Sequence, residues 1–275
     1  MLNYLSWYNV GMAKYGSWRS PPYQPGQEAP YKLSRSKIDL FMQCPRCFWL
    51  DVRLKIKRPS SPPFQINKAI DELFKKEFDI HRAAQTKHPL SEAFGLDLVP
   101  FQHEKMDAWR DALRRGVQYL HPKTNLMITG GIDDVWVNPA TGELSVVDYK
   151  ATAKAGEVNL DAQWQDMYKR QMEVYQWLLR KNGFKVNDTS YFVYTNGRLD
   201  LDGFYDKVEF HTKIIPYTGS DKWVEPTIID MKKCMDSEKM PNVGKRVMDS
   251  TKDCEYCAYA KSRAEVTLEA LKSKK

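Results

Sequence analysis

The sequence lacks long apolar runs, and no stretch approaches the roughly eighteen consecutive apolar residues that a transmembrane helix requires. Its first residues, MLNYLSWYNVGMAKYG, contain neither a basic segment nor a continuous apolar one, so no signal peptide is predicted. Internal repeats and low-complexity tracts are missing as well. We therefore expect a cytoplasmic protein that does not bind membranes.

Cysteine is also scarce, with five residues in 275, and the count is odd. A disulfide framework is disfavoured by this number in a chain without an export signal. Four of the five form two CxxC pairs, Cys44 with Cys47 and Cys254 with Cys257, which can supply four thiolates to one metal site. Cys234, in MKKCMD, is interpreted as an ordinary free thiol.

Acidic residues are outnumbered, since 35 Asp and Glu face 42 Lys and Arg, which gives a net charge of +7. A basic chain favours a polyanionic partner, because each neutralised phosphate releases counterions. The composition is otherwise that of an ordinary globular protein, so charge alone leaves nucleic-acid binding open.

The order of sequence patterns predicts the architecture. Residues 1–30 carry Ser-Pro-Pro, Gln-Pro-Gly and Ala-Pro steps and are expected to form an extended arm before a single domain at 31–275. Helices are predicted at about 36–48, 66–78, 102–120 and 161–181 and again after 221, and strands at 126–138, 144–151, 190–195 and 208–217. Ser36 and Asp39 resemble a capping box at the first helix. The predicted class is α/β (α+β), with a central mixed sheet between helical N-terminal and C-terminal additions.

The strand SVVDYK places an acid and a base on one face. Side chains alternate along a strand, so Asp148 and Lys150 point one way and Tyr149 points the other. The preceding GGIDD segment brings Asp133 and Asp134 opposite Asp148 if the two strands form an antiparallel hairpin. Carboxylates about 4 Å apart repel by roughly 4 kcal/mol at an effective dielectric near 20, and a hard divalent cation offsets that repulsion.

These residues resemble the PD-(D/E)XK nuclease superfamily, in particular its RecB-like branch. GGIDDVWVN followed by LSVVDYKAT is similar to the G-x-I-D and D-Y-K motifs, and Gln171 with Tyr175 has the Q-x-x-x-Y spacing. YKLSRSKIDLFMQCPRCFWL is similar to the opening motif of the branch, and together the motifs span about 31–260. The resemblance implies a restriction-endonuclease-like core.

The resemblance also implies roles for the residues. Asp133 and Asp148 would bind one or two Mg²⁺ or Mn²⁺ ions, with the main-chain carbonyl of Tyr149 as a further ligand. Lys150 would hold the attacking water or the developing charge on the phosphate. Gln171 and Tyr175 would position the active-site helix and contact the nucleic acid. Asp134, on the other strand face, is expected to support the site without binding metal.

One position departs from the pattern of the branch. Its members often carry a metal-binding histidine in the first-motif helix, where this chain has Asp71 in INKAIDELFKKEF. Asp71 is either a replacement metal ligand or a solvated carboxylate on the polar face of the helix. The five histidines, His81, His88, His103, His121 and His211, lie outside the motifs and are interpreted as surface or ordinary polar positions.

The cysteines depart from the family as well. In the CRISPR-adaptation exonucleases, which this chain resembles, one early and three late cysteines hold an iron–sulfur cluster, but here no cysteine follows Cys257. Cys44, Cys47, Cys254 and Cys257 would instead provide the four thiolates for a [4Fe–4S] cluster or Zn²⁺, or are reduced cysteines without a metal.

Three functions follow from the sequence. The first is a metal-dependent DNA nuclease, exonuclease-like, that acts on single-stranded DNA or free ends in repair, recombination or mobile-element processing. The second is a nucleic-acid-binding module of the same fold with impaired catalysis, which Asp71 in place of histidine favours. The third is a zinc-stabilised interaction domain with a solvated acidic strand.

Overall fold

The fold is given by a computed structural model, which describes residues 21–60 and 64–273. Its helices are α1 (Arg35–Gln43), α2 (Pro45–Leu54), α3 (Gln65–Ala84), α4 (Pro89–Ala93), α5 (Met106–Arg110), α6 (Asp166–Lys181), α7 (Val224–Asp236) and α8 (Glu255–Lys272). Its strands are β1 (Tyr31–Ser34), β2 (Val99–Pro100), β3 (Val117–His121), β4 (Leu126–Gly130), β5 (Asp134–Val137), β6 (Leu144–Thr152), β7 (Thr189–Gly197), β8 (Phe210–Thr218), β9 (Lys245–Arg246) and β10 (Asp249–Asp253).

The central sheet has five strands in the order β2-β5-β6-β7-β8. Strands β6 and β7 are parallel, and the other neighbours are antiparallel. Residues 144–149 of β6 are all buried, as expected for a central strand that is covered on both faces. Helices α3 and α6 both pack on β6. The predicted α/β architecture, a central mixed sheet flanked by helices, is confirmed.

A smaller sheet, in the order β1-β4-β3, lies beside the central one. The single strand predicted at 126–138 is therefore wrong, because β4 ends at Gly130 and β5 begins in the other sheet at Asp134. The chain turns at Gly131, where a Cβ atom would lie 2.3 Å from the Cβ of Ala112. The predicted antiparallel hairpin is nevertheless present between β5 and β6, where Asp134 lies opposite Val147.

The helix predicted at 102–120 is also wrong. Only Met106–Arg110 is helical, and Val117–His121 forms β3, which pairs with β4. Gly116 separates the two, with a φ of +73° that other residues rarely adopt. The apolar spacing of this segment suits a helix, but residues 117–121 instead pair with β4, which satisfies the backbone groups along one edge of the strand.

The first helix begins one residue earlier than predicted and without the capping box. Its N-cap is Ser34, which makes no side-chain capping bond, and the hydroxyl of Ser36 contacts that of Ser34 at 2.8 Å. Asp39 instead accepts a hydrogen bond from Arg170 Nε at 2.7 Å. The carboxylate of Asp39 therefore forms an ion pair with Arg170 on α6 and does not cap the first helix.

Part of the predicted N-terminal arm lies outside the described residues, namely 1–20. Within the described part, Tyr23 is buried, and its hydroxyl donates to Asp236 Oδ1 at 2.7 Å on α7. Among the helices that the structure describes, none has the length and apolar content needed to cross a bilayer.

Candidate active site

The middle of β6 places an acid and a base side by side. The ammonium group of Lys150 contacts Asp148 Oδ2, and the Asp148 side chain is fully buried. Burial acts to lower the pKa of Lys150, but the carboxylates of Asp148 and Asp133 outweigh it and raise that pKa above its ordinary value. Lys150 is therefore a fixed cation at neutral pH, suited to stabilise negative charge and unsuited to accept a proton.

Asp133 joins this pair from the turn before β5. Its Oδ2 accepts a hydrogen bond from the backbone N–H of Tyr149 at 3.2 Å, which holds it against the strand that carries Asp148. Burial, and after it the charge of Asp148, raises the pKa of Asp133 to about 6. The two carboxylates thus repel each other, as expected for a site that accepts a cation.

Helix α6 fixes the orientation of Asp148. The side-chain amide of Gln171 donates to Asp148 Oδ1 at 2.7 Å and lies 3.2 Å from the hydroxyl oxygen of Tyr175. Both residues are buried, and their spacing of four places them on one face of the helix. Apart from the ion pair with Lys150, Asp148 Oδ2 has no hydrogen-bond partner among the described residues.

Asp71, on α3, lines a cavity that Lys150 also lines. Its Oδ2 pairs with Lys75 at 2.6 Å, whereas its buried Oδ1 has no hydrogen-bond partner within the described part of the chain. Burial and then the charge of Asp133 raise the pKa of Asp71. The cavity measures about 220 Å³ and is lined by Asn67, Ile70, Asp71, Tyr149, Lys150, Ala151 and Tyr168.

The donor set fits a hard divalent cation. Asp71, Asp133 and Asp148 offer carboxylate oxygens only. Among the described residues, the buried Oδ1 of Asp71 has no hydrogen-bond partner, and Oδ2 of Asp148 contacts only the Lys150 ammonium. Among the described residues, the four cysteines are the one group of metal-binding side chains whose ligand atoms all lie within 4.8 Å, so the three carboxylates are less compact. Mg²⁺ needs one or two carboxylates and keeps several waters, so Asp133 and Asp148 suffice.

Asp134 lies on the reverse face of the hairpin. Its Oδ2 accepts the hydroxyl proton of Tyr149 at 2.6 Å, and Arg82 contacts its Oδ1. Arg110 lies 3.5 Å from the same oxygen. Two guanidinium groups and a phenol therefore neutralise this fully buried carboxylate.

Two aromatic residues at the site, Tyr168 and Trp164, were not predicted from the sequence. The Lys150 ammonium lies 4.7 Å from the ring centroid of Tyr168, and Trp164 meets that ring edge-on at 5.4 Å. Tyr168 precedes Gln171 by three residues, which places both on one helical face and was a usable signal. Trp164 is 36% exposed, and nothing in its local pattern distinguished it.

The histidines take no part in the cavity lining. His88 and His121 are buried. They are therefore ordinary polar positions and not surface positions. His121 lies between Thr124, at 2.8 Å, and Glu225, at 2.9 Å. His88 stacks on Phe78 with the ring centroids 4.0 Å apart.

The two CxxC pairs meet in space although about 200 residues separate them. We call Cys44, Cys47, Cys254 and Cys257 the cysteine cluster; their sulfur atoms all lie within 4.8 Å of one another. Interaction with the Cys47 thiol is the largest of the effects that lower the pKa of Cys44, to about 4, and backbone N–H groups add to it. The cluster could hold a metal, whereas Cys234 lies apart on α7.

Comparison with known proteins identifies the family of the chain. The model of the PD-(D/E)XK nuclease superfamily matches residues 32–262, which include the cavity, the Gln171–Tyr175 face and the cysteine cluster. A search of the curated proteins found no match.

Proposed function

Because the chain belongs to the PD-(D/E)XK nuclease superfamily, we propose that it is a Mg²⁺- or Mn²⁺-dependent deoxyribonuclease of the RecB-like branch. The observation that carries the proposal is the arrangement around β6. Asp133 accepts a hydrogen bond from the backbone N–H of Tyr149, the residue after Asp148, and Lys150 is held as a cation by Asp148. Lys150 also lines a cavity to which Asp71 contributes a carboxylate. A pure binding module has no use for acidic groups that face phosphates.

In the proposed reaction, each residue of the site has a separate role in hydrolysis. Asp133 and Asp148, with Tyr149 through its carbonyl, would hold the divalent cation, which supplies a Lewis acid and lowers the pKa of bound water. Lys150 places a permanent positive charge beside Asp148, where it can orient a water molecule or stabilise charge on the scissile phosphate. Gln171 holds Asp148 in one rotamer, and Tyr175 lies beside Gln171.

Asp71 would serve as a further ligand in place of the histidine of the branch. Its Oδ1 has no hydrogen-bond partner among the residues that the structure describes, and Asp133 helps to raise its pKa. Both observations support this role over a solvated helix face. The rival function, a nucleic-acid-binding module with impaired catalysis, depends on Asp71 failing as a substitute. The complete Asp133, Asp148 and Lys150 set favours catalysis.

A DNA strand is the proposed substrate, taken single-stranded or at a free end in an exonuclease-like manner. The net charge of +7 suits a polyanion, and the partly exposed indole of Trp164, which packs against Tyr168, can stack on an unpaired base. Repair, recombination or mobile-element processing in the cytoplasm are the settings in which such an activity is used.

The test is cleavage of end-labelled single- and double-stranded DNA with Mg²⁺, Mn²⁺ or EDTA. We expect cleavage with either metal, none in EDTA, and a loss of at least about a hundredfold in Asp148→Asn and Lys150→Met. Asp230→Asn is the matched control, because Asp230 is exposed on α7 and, within the described part of the chain, pairs only with Lys233, at 2.9 Å. DNA binding without cleavage under any metal would establish the binding module instead.

A further inference from the structure

The geometry of the cysteine cluster distinguishes between the metals that four thiolates can hold. The sulfur of Cys257 lies 3.8 Å from that of Cys44 and 3.6 Å from that of Cys47. The sulfurs of Cys47 and Cys254 are 3.7 Å apart. The four sulfurs therefore surround a small space between α1, α2 and the start of α8.

A single tetrahedral ion fits this space. Four sulfurs bound at 2.3 Å to one Zn²⁺ ion stand about 3.8 Å apart, close to the separations observed. In a [4Fe–4S] cluster each cysteine binds its own iron at a different corner of the cluster, which drives the sulfurs well beyond such distances. We infer that the cysteine cluster binds one zinc ion in a closed, structural site and no iron–sulfur cluster.

The surroundings match a zinc tetrathiolate. Such a centre carries two negative charges in excess, and three donors point at its sulfurs. The N–H groups of Gly244 and Cys47 lie 3.2 and 3.5 Å from Cys44 Sγ. The guanidinium of Arg58 donates to Cys254 Sγ at 3.4 Å. All four ligands are cysteines, so the site keeps no open position for a substrate.

The ion would attach the C-terminal segment to the rest of the molecule. Among residues 241–273, Cys254 is the one buried residue, and α8 buries none. Gly244 passes so close to α1 that a Cβ atom would lie 2.2 Å from the carbonyl oxygen of Gln43. Without metal, little apolar burial holds this segment in place. The inference goes beyond the proposed nuclease function and does not depend on catalysis.

The decisive experiment measures the metal in the full chain. The protein is expressed with both iron and zinc supplied, purified without oxygen, and assayed for zinc, iron, acid-labile sulfide and visible absorption. We expect about one zinc per chain, no sulfide and a colourless solution. Iron and sulfide in about fourfold molar amounts with a brown colour, or a protein without bound metal, would overturn the inference.

A variant locates the ion. Cys257→Ser should reduce the zinc content at least about fivefold and expose residues 245–272 to proteolysis, because a thiolate ligand is lost. Cys234→Ser, on α7, should keep its zinc. Undiminished zinc in Cys257→Ser would place the ion elsewhere and refute the site.

A second measurement on the wild-type chain guards against a variant that fails to fold. Co²⁺ exchanged into the protein should give the intense visible bands of a tetrahedral thiolate complex, which zinc then abolishes. Weak bands typical of oxygen ligands would refute the inference. Neither readout involves DNA cleavage, so failure of the nuclease proposal would leave this one unaffected.

Discussion

Asp148 is a buried carboxylate whose two oxygens meet different partners. One of its oxygens accepts from Gln171 at 2.7 Å, and the other meets only the Lys150 cation among the residues described. Burying an ionised carboxylate costs several kcal/mol unless partners compensate it. An amide and an ammonium group do so here, one at each oxygen.

Removal of the amide tests this arrangement. We expect Gln171→Leu to weaken Mg²⁺ binding and cleavage by about 10- to 100-fold, because Asp148 loses the donor that orients it. Tyr175→Phe, which removes only the hydroxyl beside Gln171, should have a smaller effect. Mg²⁺ titrations of the cleavage rate measure both. An unchanged half-saturating Mg²⁺ concentration in Gln171→Leu would contradict the role.

The raised pKa of Asp133 predicts a pH dependence of metal binding. Below its pKa of about 6 the carboxyl group carries a proton that the cation must displace, whereas above it the ligand is ready. We therefore expect the affinity for Mn²⁺ to hold steady from pH 8 to 7 and to fall below pH 6. Calorimetry at pH 5, 6 and 7.5 measures it. Equal affinities at pH 5 and 7.5 would contradict the prediction.

At the scale of elements, the turn between β4 and β5 sets the position of Asp133. Gly130 and Gly131 lie where the chain passes from the small sheet to the central one. A Cβ atom on Gly130 would meet the ring of Tyr175 at 2.6 Å. The close approach of this turn to α6 and to Ala112 therefore couples the backbone before Asp133 to the active-site helix.

A methyl group at Gly131 tests the turn. Gly131→Ala should lower the free energy of unfolding by about 1–3 kcal/mol, because the new Cβ overlaps the Cβ and Cα atoms of Ala112. The matched control is Gly197→Ala, where the nearest atoms stand 3.5 Å away. Urea denaturation compares them. Equal stabilities would show that the turn relaxes without cost.

Over the whole molecule, the excess of basic residues would attract a polyanion through the summed electrostatic field of the surface. No single contact accounts for it, since most described Lys and Arg side chains near the site already pair with carboxylates, as Lys75 does with Asp71. Long-range attraction of this kind steers and strengthens binding of a polyanion and is screened by salt.

Salt dependence measures this contribution. With Ca²⁺ in place of Mg²⁺ to favour binding over cleavage, the logarithm of the DNA affinity should fall linearly with the logarithm of the salt concentration. A slope of about −2 or steeper corresponds to three or more neutralised phosphates on a single strand. Fluorescence anisotropy at several KCl concentrations gives the slope. A flat line would argue against a nucleic-acid substrate.

Features that depend on spacing within one element were predictable from the order of the amino acids. Alternation put Asp148 and Lys150 on one strand face, and a separation of four put Gln171 and Tyr175 on one helical face. The superfamily and the mixed α/β class followed from the order of the motifs. Covalent geometry and backbone hydrogen bonding fix such relations, so they can be read without knowing what the element packs against.

Features that depend on contacts between distant segments became visible in the folded chain. Ala112 packs so closely on Gly131 that no side chain fits at the break between β4 and β5. Strand β3 forms where a helix was predicted because β4 is its partner. The Oδ1 of Asp71 has no hydrogen-bond partner among the described residues. The sulfur separations that distinguish one ion from a cluster join residues about 200 positions apart. Packing between distant segments sets these distances, and the residue pattern within one segment does not specify which other segments it contacts.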